Sequence, residues 1–251
     1  MDSELAEKGL IALEGAFLVE RGLAAGLELV QLLCVPARAG WAAALLAPAR
    51  ESPLAPAHET PLAPMVLSEG EIARIAGYPF HRGALGIARR PKPLTEPATP
   101  TEGDSTILAL PESSDPENLG SAFRSAAALG CSALLLGPTG PDPYSRRVLR
   151  VSMGASLTLP WARLQGPEGL SALARRGYRS AACVLDSGAI KVDDYSRPPR
   201  LILVMGNEAF GLSPPWLAAC DDRITLPMSG GVDSLNAAAA AAVFLYATRS
   251  R

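Results

Sequence analysis

The sequence predicts an α/β protein, a parallel sheet with helices on its faces, preceded by a smaller α/β unit. Three observations carry this. From residue 105 onward, strand-like apolar runs (106–110, 133–136, 156–159, 180–185) alternate with helix-length stretches (117–129, 143–153, 167–176). Two further apolar runs, beginning at Leu201 and Ile224, each lead straight into a glycine loop and then a helix. Before all of these, Pro91, Pro93, Pro97 and Pro100 stand among polar residues and read as a stiff linker. The expected division is therefore a small unit at 1–90, a linker at 91–104 and a larger domain at 105–251.

In the small unit, 14–20 reads as a short strand, 22–27 as a helical turn and 29–35 as an apolar run. A second apolar patch covers 41–46. The prolines at 48, 53, 56, 61 and 64 argue against an ordinary helix or central strand between 47 and 65. Ser68 and Glu71 have the spacing of a capping box opening a helix through Ala76. Residues 78–88 look strand-like and carry His81 and Arg82.

Composition narrows the function classes. The chain is 251 residues long and 48% hydrophobic with a net charge of −2, so it is globular and lacks a global basic field. Any nucleic-acid contact must come from local patches, with Arg82, Arg89, Arg90 and Lys92, and Arg146, Arg147 and Arg150, as candidates. Residues 1–103 carry 9 basic and 12 acidic side chains, which sharpens that requirement. Only Lys8, Lys92 and Lys191 are lysines among the 23 basic residues. Arginine suits phosphates and planar groups, although compositional bias explains the same count. Cys34, Cys131, Cys183 and Cys220 have no metal-ligand spacing, so free thiols and no metal are expected. The acidic start has no signal-peptide pattern, and no apolar run reaches about 20 residues, the span of a membrane helix. The expected setting is the cytoplasm, away from membranes.

Three stretches carry chemistry. Asp115 to Arg124 follows a strand and opens a helix, where early N–H groups can meet an anion. Asn118 and Arg124 lie six residues apart there, roughly 120° apart around the helix. They could frame one pocket or serve as a cap and a solvated side chain. In the second stretch, Gly206, Asn207, Glu208, Ala209, Phe210 and Gly211, two glycines allow close approach to backbone. Glu208 would point at whatever the loop holds, unless this is a plain loop. The third stretch, Ser229, Gly230, Gly231, Val232, Asp233 and Ser234, matches a pyrophosphate-binding loop of ATP pyrophosphatases. Only 17 residues follow it, too few for the sheet which that loop needs downstream.

Taken in order, Asn118-x-Gly120-x-x-x-Arg124, then Gly206-Asn207-Glu208-x-x-Gly211-Leu212-Ser213, then Leu226-Pro227-Met228 with Ser234-Leu235-Asn236, resemble the three motifs of the SpoU/TrmH family. These are RNA ribose 2′-O-methyltransferases of the SPOUT superfamily. The resemblance covers roughly residues 104–251. A weaker likeness links 15–20 and 83–88 to the small substrate-binding domain of the family's ribosomal-RNA members, which implies an RNA-binding role for 1–90.

The resemblance implies a parallel sheet whose C-terminal segment threads a trefoil knot, an exception to unknotted chains. It also implies a homodimer and S-adenosylmethionine as cofactor. Cofactor contacts would fall on Met205, Gly206, Asn207, Leu226, Met228 and Leu235. Arg124 matches the arginine assigned to the ribose hydroxyl, with Asn118, Glu208, Ser234 and Asn236 the polar residues around it. Glu208 is expected to hold Arg124 or Asn118, and Ser234 and Asn236 to fix the hydroxyl or Arg124. The chain departs from the family at Ala209, usually glycine, and at Ala237, usually valine. The implied activity is methylation of a ribose in RNA. Ribosomal RNA is the expected substrate and transfer RNA the alternative. A catalytically silent RNA-binding relative is the reading from another class.

Overall fold

The computed structural model describes residues 2–51, 62–96, 100, 103–229 and 234–249, the side chains of 48–51 excepted. The chain divides into two compact units: Met1–Lys92 with Tyr144–Arg150, and Pro93–Pro143 with Val151–Arg251. The segment at 144–150, read from sequence as part of the larger domain, thus groups with the first unit.

The first unit contains α1 (Asp2–Glu7), β1 (Leu10–Glu14), α2 (Ala16–Ala24), β2 (Leu29–Cys34), α3 (Ala39–Glu51), β3 (Met65–Val66), α4 (Glu69–Ala76) and β4 (Ala84–Arg89). Its sheet runs β1-β4-β2-β3, with β4 antiparallel to both β1 and β2. The expected strand at 14–20 is not one. Gly15, at φ 87, turns the chain out of β1 and 16–24 is helical. Leu18, Val19 and Gly22 face inward from that helix, a helical spacing that the short apolar run disguised. Gly22 lies so near β1 that an added Cβ would stand 2.7 Å from Leu13 Cδ1. The strand-like reading of 78–88 shrinks to 84–89. Helix α3 runs on through Pro48, against the expectation for that stretch, so it forgoes one backbone hydrogen bond there. The prolines at 53, 56 and 61 lie outside the described residues.

At α4 the local chemistry behaves as read. Ser68 accepts the Glu71 N–H at 3.3 Å, the Glu71 carboxylate accepts the Ser68 N–H at 2.8 Å, and Gly77 closes the helix at φ 80.

The second unit holds β5 (Ser105–Leu110), α5 (Pro116–Ala128), β6 (Ala133–Leu136), α6 (Arg146–Val151, most of it grouped with the first unit), α7 (Ala155–Thr158), β7 (Trp161–Arg163), α8 (Glu168–Ala174), β8 (Arg179–Cys183), β9 (Ile190–Lys191), β10 (Arg200–Met205), α9 (Pro214–Ala218), β11 (Asp222–Thr225) and α10 (Ala237–Ala247). Seven strands run β7-β6-β5-β10-β8-β11-β9, every pairing parallel. Residues 201–205 of the central β10 are fully apolar and buried, as expected of a strand covered on both faces. The run at 156–159 is helical rather than extended, and the strand starts only after Pro160. Four apolar residues cannot discriminate the two states by periodicity. Leu94, from the proline-rich stretch, bridges Ala162 in parallel.

All four cysteines are free, and Cys34 and Cys131 are buried. Burial pushes the Cys131 thiol up to about 12. Among the described residues no helix is long and apolar enough to cross a membrane, and no group of three metal-ligating side chains occurs.

Candidate functional site

In an open parallel sheet, loops at the carboxyl ends of the strands carry free backbone groups and form ligand crevices. Here the loops after β8, β10 and β11, with the start of α10, enclose a cleft of about 460 Å³. That volume suits a small organic cofactor. Met205, Gly206, Asn207, Leu226, Met228 and Leu235, the six candidate cofactor residues, all line it, as do Glu208 and Ser234. The walls mix buried apolar side chains, Met205 and Leu226, with the loop backbone of 206–212.

Gly206 is required by space. A Cβ there would fall 2.1 Å from the Gly211 carbonyl carbon and 2.2 Å from the Leu212 nitrogen. The loop folds onto itself at this point: Asn207 and Gly211 exchange backbone hydrogen bonds of 2.9 Å in each direction. Gly211 takes φ 69. Ala209 does not share that geometry, because Met153 is the one non-glycine residue at positive φ among the described residues. The departure at 209 is therefore sterically tolerated. Its N–H donates to Asn207 Oδ1 at 2.9 Å.

Asn118, Glu208 and Asn236 come together. Asn236 caps α10, its Oδ1 accepting the N–H groups of Ala238 and Ala239 at 3.0 and 3.3 Å. That fixes its amide orientation, so Nδ2 donates to Asn118 Oδ1 at 2.9 Å. Asn118 must then present Nδ2 to Glu208 Oε1, also at 2.9 Å. Three motifs scattered over 118 residues of chain thus form one hydrogen-bonded row. Asn118 is not the cap of α5. Asp115 takes that place, accepting the Glu117 N–H at 2.7 Å with Pro116 following it.

Arg124 stands apart from this row. It is exposed on α5 and makes no hydrogen bond or ion pair among the described residues. Glu208 holds Asn118 rather than Arg124, and Asn236 holds Asn118 likewise. Residues 230–233 of the glycine loop lie outside the described residues.

Of the candidate basic residues, Arg146 is engaged internally. It pairs with Asp2 at 2.6 Å and Glu14 at 3.4 Å and sits over the Tyr78 ring at 4.8 Å. Arg82 faces Glu14 at 3.9 Å, Arg89 faces Glu28 at 3.7 Å and Arg90 covers the Tyr144 ring.

Sequence reading missed Cys183, Leu185, Phe210 and Phe244, which also line the cleft. Leu185 and Phe210 are 67% and 91% exposed, and large apolar side chains just past strand ends were the available signal.

The fold and cleft can be set against known proteins. A Mycobacterium bovis relative named as an uncharacterized tRNA/rRNA methyltransferase is 39% identical over 180 residues, 70% of this chain and 62% of the relative. The chain thus spans less than two thirds of the curated relatives that it matches at this identity. A 23S rRNA (guanosine-2′-O-)-methyltransferase, RlmB of Acinetobacter baylyi, is 29% identical, covering 71% of this chain and 75% of its own. The crystal structure of an AdoMet-bound rRNA methyltransferase from Sinorhizobium meliloti superposes with a TM-score of 0.82 at 25% identity, covering 99% of this chain and 90% of that one. Residues 105–246, more than half of the sequence, match the profile described as the SpoU rRNA Methylase family, and the chain belongs to that family.

Proposed function

We propose that the chain is an S-adenosylmethionine-dependent RNA ribose 2′-O-methyltransferase acting on ribosomal RNA in the cytoplasm. The observation that carries this reading is the cleft at the ends of β8, β10 and β11. It joins a backbone cradle at Gly206 to the polar row Asn236–Asn118–Glu208. Family membership and the activities named for the Acinetobacter and Sinorhizobium proteins support it.

The residues present fit the cofactor. Met205, Leu226, Met228 and Leu235 would enclose its adenine, while backbone groups at Gly206 and Asn207 bond its polar edges. When bound, it supplies an electrophilic methyl group on a sulfonium. The transfer would join that methyl carbon to the ribose 2′-oxygen, with the hydroxyl proton passing to solvent, so this chain's part is to hold the two in line. Positive charge disperses in this step, so alignment is the main demand, and positioning supplies several kcal/mol. Arg124 would orient the hydroxyl and its neighbouring phosphate, since a guanidinium holds its protons too tightly to be a ready base. Asn118, Glu208, Ser234 and Asn236 would fix the other side of the nucleotide.

Two structural readings belong to the same proposal. We infer that the C-terminal segment threads a trefoil knot. Supporting this, β10 lies between β5 and β8, β11 lies beyond β8, and α10 returns to pack on α5. We also infer a homodimer. Supporting that, α10 buries Ala238, Ala241, Phe244 and Leu245 yet leaves Val243 and Tyr246 exposed. The small N-terminal unit, 1–90, would bind RNA.

The test is incubation with methyl-labelled cofactor and total RNA from a strain lacking the gene. Label on a ribose 2′-oxygen of ribosomal RNA is expected. Label on a base, or none on RNA, would overturn the reading.

A further inference from the structure

We propose that Glu112 is a positioning residue which clamps the cofactor loop from outside the three motifs. The inference rests on the cofactor reading given above. Glu112 lies two residues past the end of β5, and its Oε2 accepts the Ser213 N–H at 2.8 Å. Its backbone carbonyl accepts Asn207 Nδ2 at 3.1 Å, and Ser114 Oγ meets the same amide at 3.2 Å.

The loop that lines the cleft is therefore gripped at its entry, Asn207, and at its exit, Ser213, by one short segment, 112–114. Between those grips the loop is closed by the paired Asn207–Gly211 bonds, which brace it internally. The Ser213 side chain makes no cap hydrogen bond of its own to α9. The Glu112 carboxylate is the side chain that holds the Ser213 N–H, while the Ser213 carbonyl accepts the Leu217 N–H of α9. A hydrogen bond to an ionised acceptor is about twice as strong as a neutral one. Holding the loop in its bound shape before the ligand arrives raises affinity by removing an ordering step.

Among the described residues Glu112 makes no hydrogen bond to the row at Asn118 and does not line the cleft, so its loss should weaken cofactor binding and leave turnover at saturation intact. The experiment uses the full chain, with cofactor affinity measured by calorimetry beside the thermal midpoint and kcat at saturating cofactor. Glu112→Ala should weaken binding about tenfold, the loss of one charge-assisted hydrogen bond, with kcat within about twofold. Glu112→Gln keeps an oxygen acceptor at the same reach and should recover most of the affinity. Glu112→Asp, one methylene short, should resemble Glu112→Ala.

Unchanged affinity in Glu112→Ala overturns the proposal. So does Glu112→Gln binding as weakly as Glu112→Ala, or kcat falling as far as affinity. If Glu112→Ala does not fold, the contrast between the Gln and Asp variants decides in the same way. Absence of cofactor binding by the unaltered chain would overturn the functional reading itself. Binding that ignores Glu112 would overturn only this inference.

Discussion

Two glutamates, one in each unit, contrast a carboxylate enclosed by its partners with one left open. In the first unit, Glu14 has a side chain only 3% exposed, accepts a short hydrogen bond from the Tyr78 hydroxyl and faces Arg146 and Arg82. Among the described residues its Oε2 and the Arg146 Nη1 still find no hydrogen-bond partner. In the second unit, Glu208 is exposed at a strand end and holds one amide, Asn118. A buried acid enclosed by its partners serves the fold, since removing one partner strands the other. An exposed acid that orders a polar row leaves lone pairs and neighbours open to a ligand. Charge placed inside is structural, and charge placed at the strand ends is available for chemistry.

The largest expected effect tests the available side. Arg124→Ala should slow methyl transfer at least about a hundredfold, as loss of an orienting group does, while cofactor affinity stays within a few-fold. Equal losses of rate and affinity in paired kinetic and titration measurements would remove Arg124 from the reacting centre. Next comes the structural side. Arg146→Ala should lower stability by about 3 kcal/mol in urea unfolding without altering cofactor affinity. A variant of unchanged midpoint would show the Glu14 cluster to be idle.

Asn236→Ala sits between the two roles. Loss of its cap should destabilise α10 by about 1 kcal/mol, and Asn118 should lose its fixed orientation, lowering kcat more than cofactor affinity. The reverse pattern would make Asn236 a cap alone. The smallest effect concerns Asp222, which receives Arg179 at 2.6 and 2.7 Å and Tyr195 at 3.0 Å. Arg179 holds its carboxyl below the usual range. Its stabilising contribution is therefore present above the unfolded-state value and lost as pH falls through the folded one. Asp222→Asn should flatten the acid limb of a stability profile below about pH 4, and an unaltered limb would contradict that.

The parallel sheet was legible because its inner strands β5, β6 and β10 are largely apolar runs bounded by loops. The cleft lining was within reach because three short stretches resemble the family's motifs, and the six residues they single out all line it. Three things were not. Helix α2 hid behind a short run with β-branched Val19, and only the Gly15 turn separates it from β1. The strand β7 was displaced by Pro160, which left a four-residue helix where extension was expected. The bond from Asn118 to Glu208 joins positions 90 residues apart, and the contact from Glu112 to Ser213 spans 101. Local pattern carries no information on such pairings, because strand order alone brings those loops together.

The central claim is that the cleft around Gly206 receives the methyl donor. Calorimetric titration of S-adenosylmethionine into the unaltered chain and into Gly206→Ala tests it most directly. A Cβ at that position would enter the Gly211–Leu212 backbone, so the account predicts one site per chain in the first and loss of binding in a still-folded second. Equal binding by both, or none by the unaltered chain, would contradict it.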